Sequence, residues 1–196
     1  SANIDRYAEV YFKKRQRKGV NIIEARKMMY YRSSFGAMMV EMGEADALIS
    51  GLTRNYPDTI RPALQIIGKE AGVKKVAGMY ILLTRRGPLF LADTTVNFNP
   101  SVDDIVEITE LTAQAVERFN IKPRIALLTY SNFGSADGDD AIKMRKALGI
   151  LKERNPEMIV DGEMQAHLPF NLDLLKENHP FCDLVDGGAN VLVFPN

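Results

Sequence analysis

From Arg124 onward the sequence alternates apolar runs of strand length with longer segments of helical spacing, and that rhythm confines the chain to few architectures. Arg124–Thr129, Met158–Gly162 and Ala189–Phe194 are the apolar runs. Between them Asp139–Arg154 sets Ile142, Leu148 and Leu151 on one side of a helix, and Asn171–Asn178 has the length of a shorter one. Strands joined through helices lie parallel, because the crossover returns each strand in the same direction. Upstream, Lys75–Thr84 and Pro88–Asp93 flank Arg85-Arg86-Gly87, which predicts a hairpin and one antiparallel pair. Ser101 is placed to cap a helix running to Phe119, with Asp103 and Asp104 favourable in its first turn. The fold class is α/β, with a mixed, mostly parallel sheet flanked by helices.

The N-terminal third reads as helical. Asp5–Lys18 puts Tyr7, Val10, Tyr11 and Lys14 on one side and ends in a basic cluster (Lys13, Lys14, Arg15, Arg17, Lys18) before Gly19. Asn21 with Glu24 three residues on has capping-box spacing. Ser33 or Ser34 begins the next helix, whose Met38, Met39, Val40 and Met42 read as core filler before Gly43. Ala47–Gly51 reads as a short buried strand entering the loop 52–58. Thr59–Gly68 follows as a helix with Asp58 or Thr59 as cap and Pro62 in its first turn. There is no internal repeat and no linker.

Composition removes several function classes. Of 196 residues 46% are hydrophobic, enough apolar surface to offset chain entropy, so disorder is excluded. Lys plus Arg equals Asp plus Glu at 25 each, and without a basic excess neither nucleic acid nor a membrane surface is an expected partner. The single cysteine, Cys182, forms no internal disulfide, which fits a reducing compartment. No apolar run approaches the roughly 20 residues of a membrane helix, and Ser1-Ala2-Asn3-Ile4 does not open a signal peptide. The expected location is cytoplasmic. His167 and His179 have no carboxylate or cysteine at ligand spacing, so no metal site is expected.

Open α/β sheets bind ligands at the carboxyl ends of their strands, and three polar, glycine-bearing segments stand at such ends. Ser50–Asn55, containing Thr53 and Arg54, leads to Arg61 on the following helix. Tyr130–Ser135 offers the Ser131 and Ser135 hydroxyls, backbone amides and Gly134, which permits positive φ. The planar donors of Arg54 and Arg61 suit phosphate or carboxylate. The same residues are equally readable as turn caps and solvated arginines. In the third segment Asp161 and Glu163 share a strand face, as an acid/base pair or as a paired or solvated strand end. Neither a Walker sequence nor a dinucleotide fingerprint is present.

Taken as strings, GEADALISG (Gly43–Gly51), TIRPALQIIG (Thr59–Gly68), ADTTVNFNPS (Ala92–Ser101), IALLTYSNFGS (Ile125–Ser135), DGEMQ (Asp161–Gln165) and ANVLVFPN (Ala189–Asn196) resemble, in order, the phosphate acetyltransferase family. The GLTRNYPDTIRPALQIIG and SNFGS segments are more similar to the C-terminal domain of hybrid NADP-dependent malic enzymes. The resemblance implies the two-lobed phosphotransacetylase fold, of the isocitrate/isopropylmalate dehydrogenase-like kind. It also implies an acetyl-CoA or acetyl phosphate cleft between lobes and a homodimer formed through the second lobe, with a higher oligomer in the parent. On it, 1–196 is a domain fragment whose first lobe lacks its beginning and whose C-terminal part is missing. Arg61 matches a family arginine of the acetyl phosphate or CoA site, Arg15 one near the CoA end, and Ser131, Gly134 and Ser135 the family's serine- and glycine-rich loop.

The departures bear on activity. Transacetylases commonly carry STKGS where this chain has Ser131-Asn132-Phe133-Gly134-Ser135, so Phe133 stands at a lysine position. His167, Leu168 and Pro169 replace the family's aspartate and small residues, and its later serine–arginine–glycine motif is not in the sequence. The resemblance therefore points to a regulatory and assembly domain binding acetyl-CoA, with NADP and a divalent metal belonging to the malic enzyme part and no cofactor here. A catalytic phosphate acetyltransferase and a purely structural dimerisation module are the alternatives.

Overall fold

The computed structural model describes residues 2–196, so the reading of Ser1 lies outside the described residues. The chain divides into two compact units, Ser1–Val73 and Lys74–Asn196.

The first unit is helical. Helix α1 (Ala2–Arg15) runs into a short 3₁₀ turn at Gln16–Lys18, which Gly19 closes with φ of 86°. Helix α2 (Ile22–Met28) starts with the capping box expected from Asn21 and Glu24. Next come α3 (Arg32–Glu41) and α4 (Tyr56–Ile66). Tyr7, Tyr11, Ala25, Met29, Ala37, Met38 and Ile66 form the core, so the methionine run is indeed filler. Lys14 Nζ donates to the Ile66 carbonyl at 2.7 Å, tying the end of α1 to the end of α4.

Three expectations fail in this unit. Ala47–Gly51 is not a strand: Ile49 is 98% exposed, and among the described residues the unit contains no strand to pair with. A five-residue segment without a partner strand leaves its backbone groups to water; Leu48 instead lies against Gly36 of α3. Helix α3 begins at Arg32 after Tyr31, which makes no side-chain cap, so Ser33 and Ser34 are buried in its first turn. Helix α4 begins at Tyr56, after Asn55, with Pro57 in its first turn and Pro62 in its interior. Pro57 and its fixed φ set that earlier start.

The second unit carries a five-stranded sheet in the order β1-β2-β5-β3-β4. Strands β1 (Met79–Thr84) and β2 (Gly87–Ala92) form the expected antiparallel hairpin. Strands β3 (Ile125–Leu128), β4 (Val160–Met164) and β5 (Val191–Val193) complete it with parallel pairings. Helices α5 (Val102–Glu117), α6 (Asp139–Arg154) and α7 (Leu172–Asn178) connect them. Strand alternation decides the layers. Ile125 and Leu127 join a core with Ile108, Val116, Met144 and Leu151 from α5 and α6. Ala126 and Leu128 join Leu168, Leu175, Cys182 and Leu184 on the other face. Ser101 accepts from the Asp104 N–H and Asp104 accepts in return, closing a capping box on α5.

Strands β3 and β5 are shorter than the sequence predicts, and β4 starts later, at Val160. Two further boundaries shift. β1 starts at Met79 rather than Lys75, and β4 runs to Met164 rather than ending at Gly162. The second shift brings Asp161 and Glu163 wholly inside the sheet. A register irregularity between Leu127 and Leu128 accompanies it, where a Cβ on Gly162 would stand 2.5 Å from the Leu127 carbonyl oxygen. Only glycine lets the two strands approach so closely there. Among the described residues no helix is long and apolar enough to cross a membrane.

Candidate functional site

In the second unit the serine loop leaves β3 and folds back over the end of β4. Its centre is Glu163, fully buried. The Ser131 hydroxyl and the Gly134 amide both donate to Glu163 Oε1 at 2.8 Å. Ser131 Oγ in turn accepts from the Ala136 amide at 3.0 Å and lies 3.3 Å from Ser135 Oγ, which itself accepts from the Asn132 amide. The Phe133 N–H donates to the Glu163 carbonyl, and Phe133 and Gly134 take positive φ values of 45° and 89°. The donors of this loop converge on an internal carboxylate, that of Glu163.

Behind Glu163 stands Arg145 of α6. Its Nε lies 3.7 Å from Glu163 Oε2, and its Nη2 donates to Asp137 at 2.9 Å and to the Ala136 carbonyl at 3.2 Å. The hydrogen bond to Asp137 chiefly raises the guanidinium pKa; partial desolvation opposes it and the Glu163 charge adds to it. Glu163 Oε2 makes no hydrogen bond and is buried. The other residue of the pair, Asp161, accepts from the Gly162 and Asp183 amides at 2.8 Å. The sequence reads Asp161 and Glu163 as an acid/base pair or as a paired or solvated strand end; both are buried inside β4 and hydrogen-bonded, and neither is solvated.

Phe133 packs 4.7 Å from the His179 ring and 5.1 Å from the Phe181 ring, centroid to centroid. It serves packing and supplies no cation. Cys182 is buried, and burial pushes its thiol up to about 12, so it is not a nucleophile at neutral pH.

A cleft of about 1220 Å³ opens beyond the carboxyl ends of β2 and β3, lined by Asp93, Asn97, Ser101, Tyr130, Lys143 and Lys146 among others. One wall is organised by Asp93, whose carboxylate accepts the amides of Gly78 at 2.8 Å, Thr95 at 3.1 Å, Val96 at 3.2 Å and Asn97 at 2.7 Å. Burial works against its ionisation, but the amides of Thr95 and Gly78 and both donors of Asn97 outweigh it and hold the carboxyl below its usual range. Lys143 is committed to the Pro195 carbonyl and to Asp140. Lys146 is exposed and has no partner among the described residues.

The remaining expected residues lie in the first unit. Thr53 and Arg54 line one shallow groove with Arg32, Ser33 and Ser50, of about 370 Å³, and another with Asn55 and Asp58. Arg61 projects from α4, exposed and without a partner among the described residues. Arg15, at the end of α1, is half-buried, and its Nε is enclosed with no hydrogen-bond partner. Neither Arg15 nor Arg61 lines the Thr53–Arg54 grooves. Among the described residues no cluster of three or more histidine, cysteine or acidic side chains is arranged to hold a metal.

Sequence reading missed Arg145 and Asp93. Arg145 sits mid-helix with no local signal, and its importance comes from a carboxylate on β4. Asp93 carried one faint cue, an aspartate ahead of two threonines in a strand-to-loop exit, where carboxylates cap backbone amides.

Comparison with known proteins agrees with this fold. The family model for phosphate acetyl/butaryl transferase matches residues 1–196. An NADP-dependent malic enzyme of Haemophilus influenzae is 40% identical over 187 residues, covering 95% of this chain and 25% of that protein. A phosphate acetyltransferase of Bacillus subtilis is 39% identical over 173 residues, covering 88% of this chain and 53% of that protein. The crystal structure of a phosphotransacetylase from Streptococcus pyogenes superposes with a TM-score of 0.86 at 33% identity, covering 98% of this chain and 59% of that one. The chain thus spans a quarter of the malic enzyme and about half of the acetyltransferase. With its whole length matched and its sheet shared with a solved phosphotransacetylase, the chain belongs to the phosphate acetyl/butaryl transferase family.

Proposed function

We propose that this chain is a phosphotransacetylase-like regulatory and assembly domain of an NADP-dependent malic enzyme, binding acetyl-CoA as an effector without turning it over. One observation carries the reading. The Ser131 hydroxyl and the Gly134 amide, the donors a transferred phosphoryl or acetyl group would need, are spent on Glu163. Phe133 adds no positive charge beside them. Arg61, Arg54 and Thr53 stay exposed and available to an anionic ligand, and Arg15 keeps an unpaired N–H. On this reading malate oxidation, with NADP and a divalent metal, belongs to the malic enzyme portion of the parent.

The test uses the parent enzyme. Malate-dependent NADPH formation should respond to acetyl-CoA, and Arg61→Ala should raise the acetyl-CoA concentration needed by about 10- to 100-fold, the loss of one charge-assisted contact. An unchanged response in that variant overturns the assignment. A catalytic phosphate acetyltransferase is the second reading, supported by relatives of that name at 36–39% identity. Acetyl-CoA formation from acetyl phosphate by the parent, abolished in Arg61→Ala, decides for it.

Assembly is proposed to run through the second unit. β1 is an edge strand on which Tyr80, Ile81, Leu82 and Leu83 are 53%, 41%, 48% and 88% exposed. An apolar strand with an open edge pairs readily with another chain, and a second copy presents the same edge. Leu83→Lys is expected to shift sedimentation of the chain from dimer to monomer while leaving its circular dichroism intact. A dimer that persists with the same dissociation constant removes β1 from the interface.

A further inference from the structure

A second cavity of the sheet unit, about 530 Å³, lies at the amino ends of the parallel strands, the end opposite the serine loop. Arg124 immediately precedes β3 here and Thr129 follows it at the other end, a separation of roughly 16 Å at strand rise. The lining includes Arg85, Arg86 and Arg124, and none of its residues is acidic. No carboxylate pairs with any of the three among the described residues. Pro88, Leu89, Phe170 and Leu172 supply an apolar wall.

The arginines are held in place by local structure. Thr84 Oγ1 donates to the Gly87 carbonyl at 2.7 Å and accepts the Arg86 amide at 3.1 Å, which fixes the hairpin turn that presents Arg85 and Arg86. Arg124 Nε donates to the Gly188 carbonyl at 2.8 Å, leaving its two terminal nitrogens uncommitted. Two glycines make room for this guanidinium and for the chain beside it. A Cβ on Gly187 would meet Arg124 Nε at 3.4 Å, and one on Gly188 would stand 2.6 Å from the Pro169 carbonyl oxygen. Planar, unpaired guanidinium groups beside an apolar wall, in a cavity of ligand size, match a small anion with an apolar body. Three cations with no lining acid favour a doubly charged phosphate over a singly charged carboxylate.

We infer that this cavity is a binding site for a small organic phosphate, with the phosphate on Arg85, Arg86 and Arg124 and the body of the ligand against Phe170 and Leu172. It is distinct from the proposed acetyl-CoA residues and does not depend on them. The probe is phenyl phosphate, titrated into the ¹⁵N-labelled chain at low salt with amide shifts as readout, so that the place of binding is observed directly. Saturable shifts are expected at Gly187, Gly188 and Asn190. Arg85→Ser/Arg86→Ser, changed only at an exposed turn, should weaken binding about tenfold or more while its remaining amide spectrum is preserved. Benzoate should bind more weakly than phenyl phosphate. Saturation absent up to about 10 mM, shifts confined to the first unit, unchanged affinity in the double variant, or benzoate binding as tightly would each overturn the assignment.

Discussion

Glu163→Ala is expected to lower the stability of the second unit by about 3–5 kcal/mol, the cost of deleting one member of a buried charged constellation. Three separate losses combine. The Ser131 hydroxyl and the Gly134 amide lose their shared acceptor. Arg145 loses the buried negative charge 3.7 Å from its Nε. A void opens where a fully buried side chain stood. Glu163→Gln keeps the shape and one acceptor oxygen but turns an NH₂ toward Arg145, so a smaller loss, about 1–2 kcal/mol, is expected. Thermal unfolding followed by circular dichroism checks the ordering, with the alanine variant melting roughly 10 °C or more below the parent. Faster exchange of the Gly134 and Ala136 amides should accompany it. A glutamine variant as damaged as the alanine one would mean that charge, rather than the hydrogen-bonded acceptor, holds the loop.

Asp93→Ala should cost about 3 kcal/mol near neutral pH, because it strips the acceptor from the amides of Gly78, Thr95, Val96 and Asn97 together. The sign of its pH dependence follows from the lowered carboxyl pKa in the folded chain. An unfolded aspartate titrates near pH 4, about 3.9, so the native state is the poorer proton binder. The stabilisation is complete above that value and is lost as pH falls through the lower native one. Stability difference between parent and Asp93→Asn, measured by urea unfolding, should therefore be constant from neutrality down to about pH 4 and shrink below it. A difference that persists unchanged in acid would show that the loop does not depend on the ionised form.

Much of the architecture is legible because its signals are local. Asn21 with Glu24 and Ser101 with Asp104 cap their helices through bonds spanning three residues, and the ends of α6 coincide with Asp139 and Arg154 as read. The hairpin around Arg85-Arg86-Gly87 is equally local. Ala47–Gly51 misled because a short apolar run carries no periodicity, and a strand also needs a neighbour that sequence does not reveal. Of the candidate residues, Ser131, Gly134 and Ser135 do converge, since they share one loop. Their partner Glu163 is 32 residues from Ser131, and pairing it to that hydroxyl requires knowing that β3 and β4 are neighbours. Arg145 is hidden in the same way, because its partner Glu163 also lies on another element. Long-range pairing, rather than any weakness in the residue signal, set the limit.

Cys182 gives these expectations a convenient observer. It is the sole thiol of the chain, it lies 2% exposed beneath the sheet, and its proton is held to about pH 12. An alkylating reagent at neutral pH can modify it only when the surrounding layer opens, so labelling kinetics count openings of that layer alone. The helical unit has no cysteine and is silent to the reagent. Damage from Glu163→Ala or Asp93→Ala can thus be clocked in the sheet unit by mass spectrometry, with the other unit present and intact.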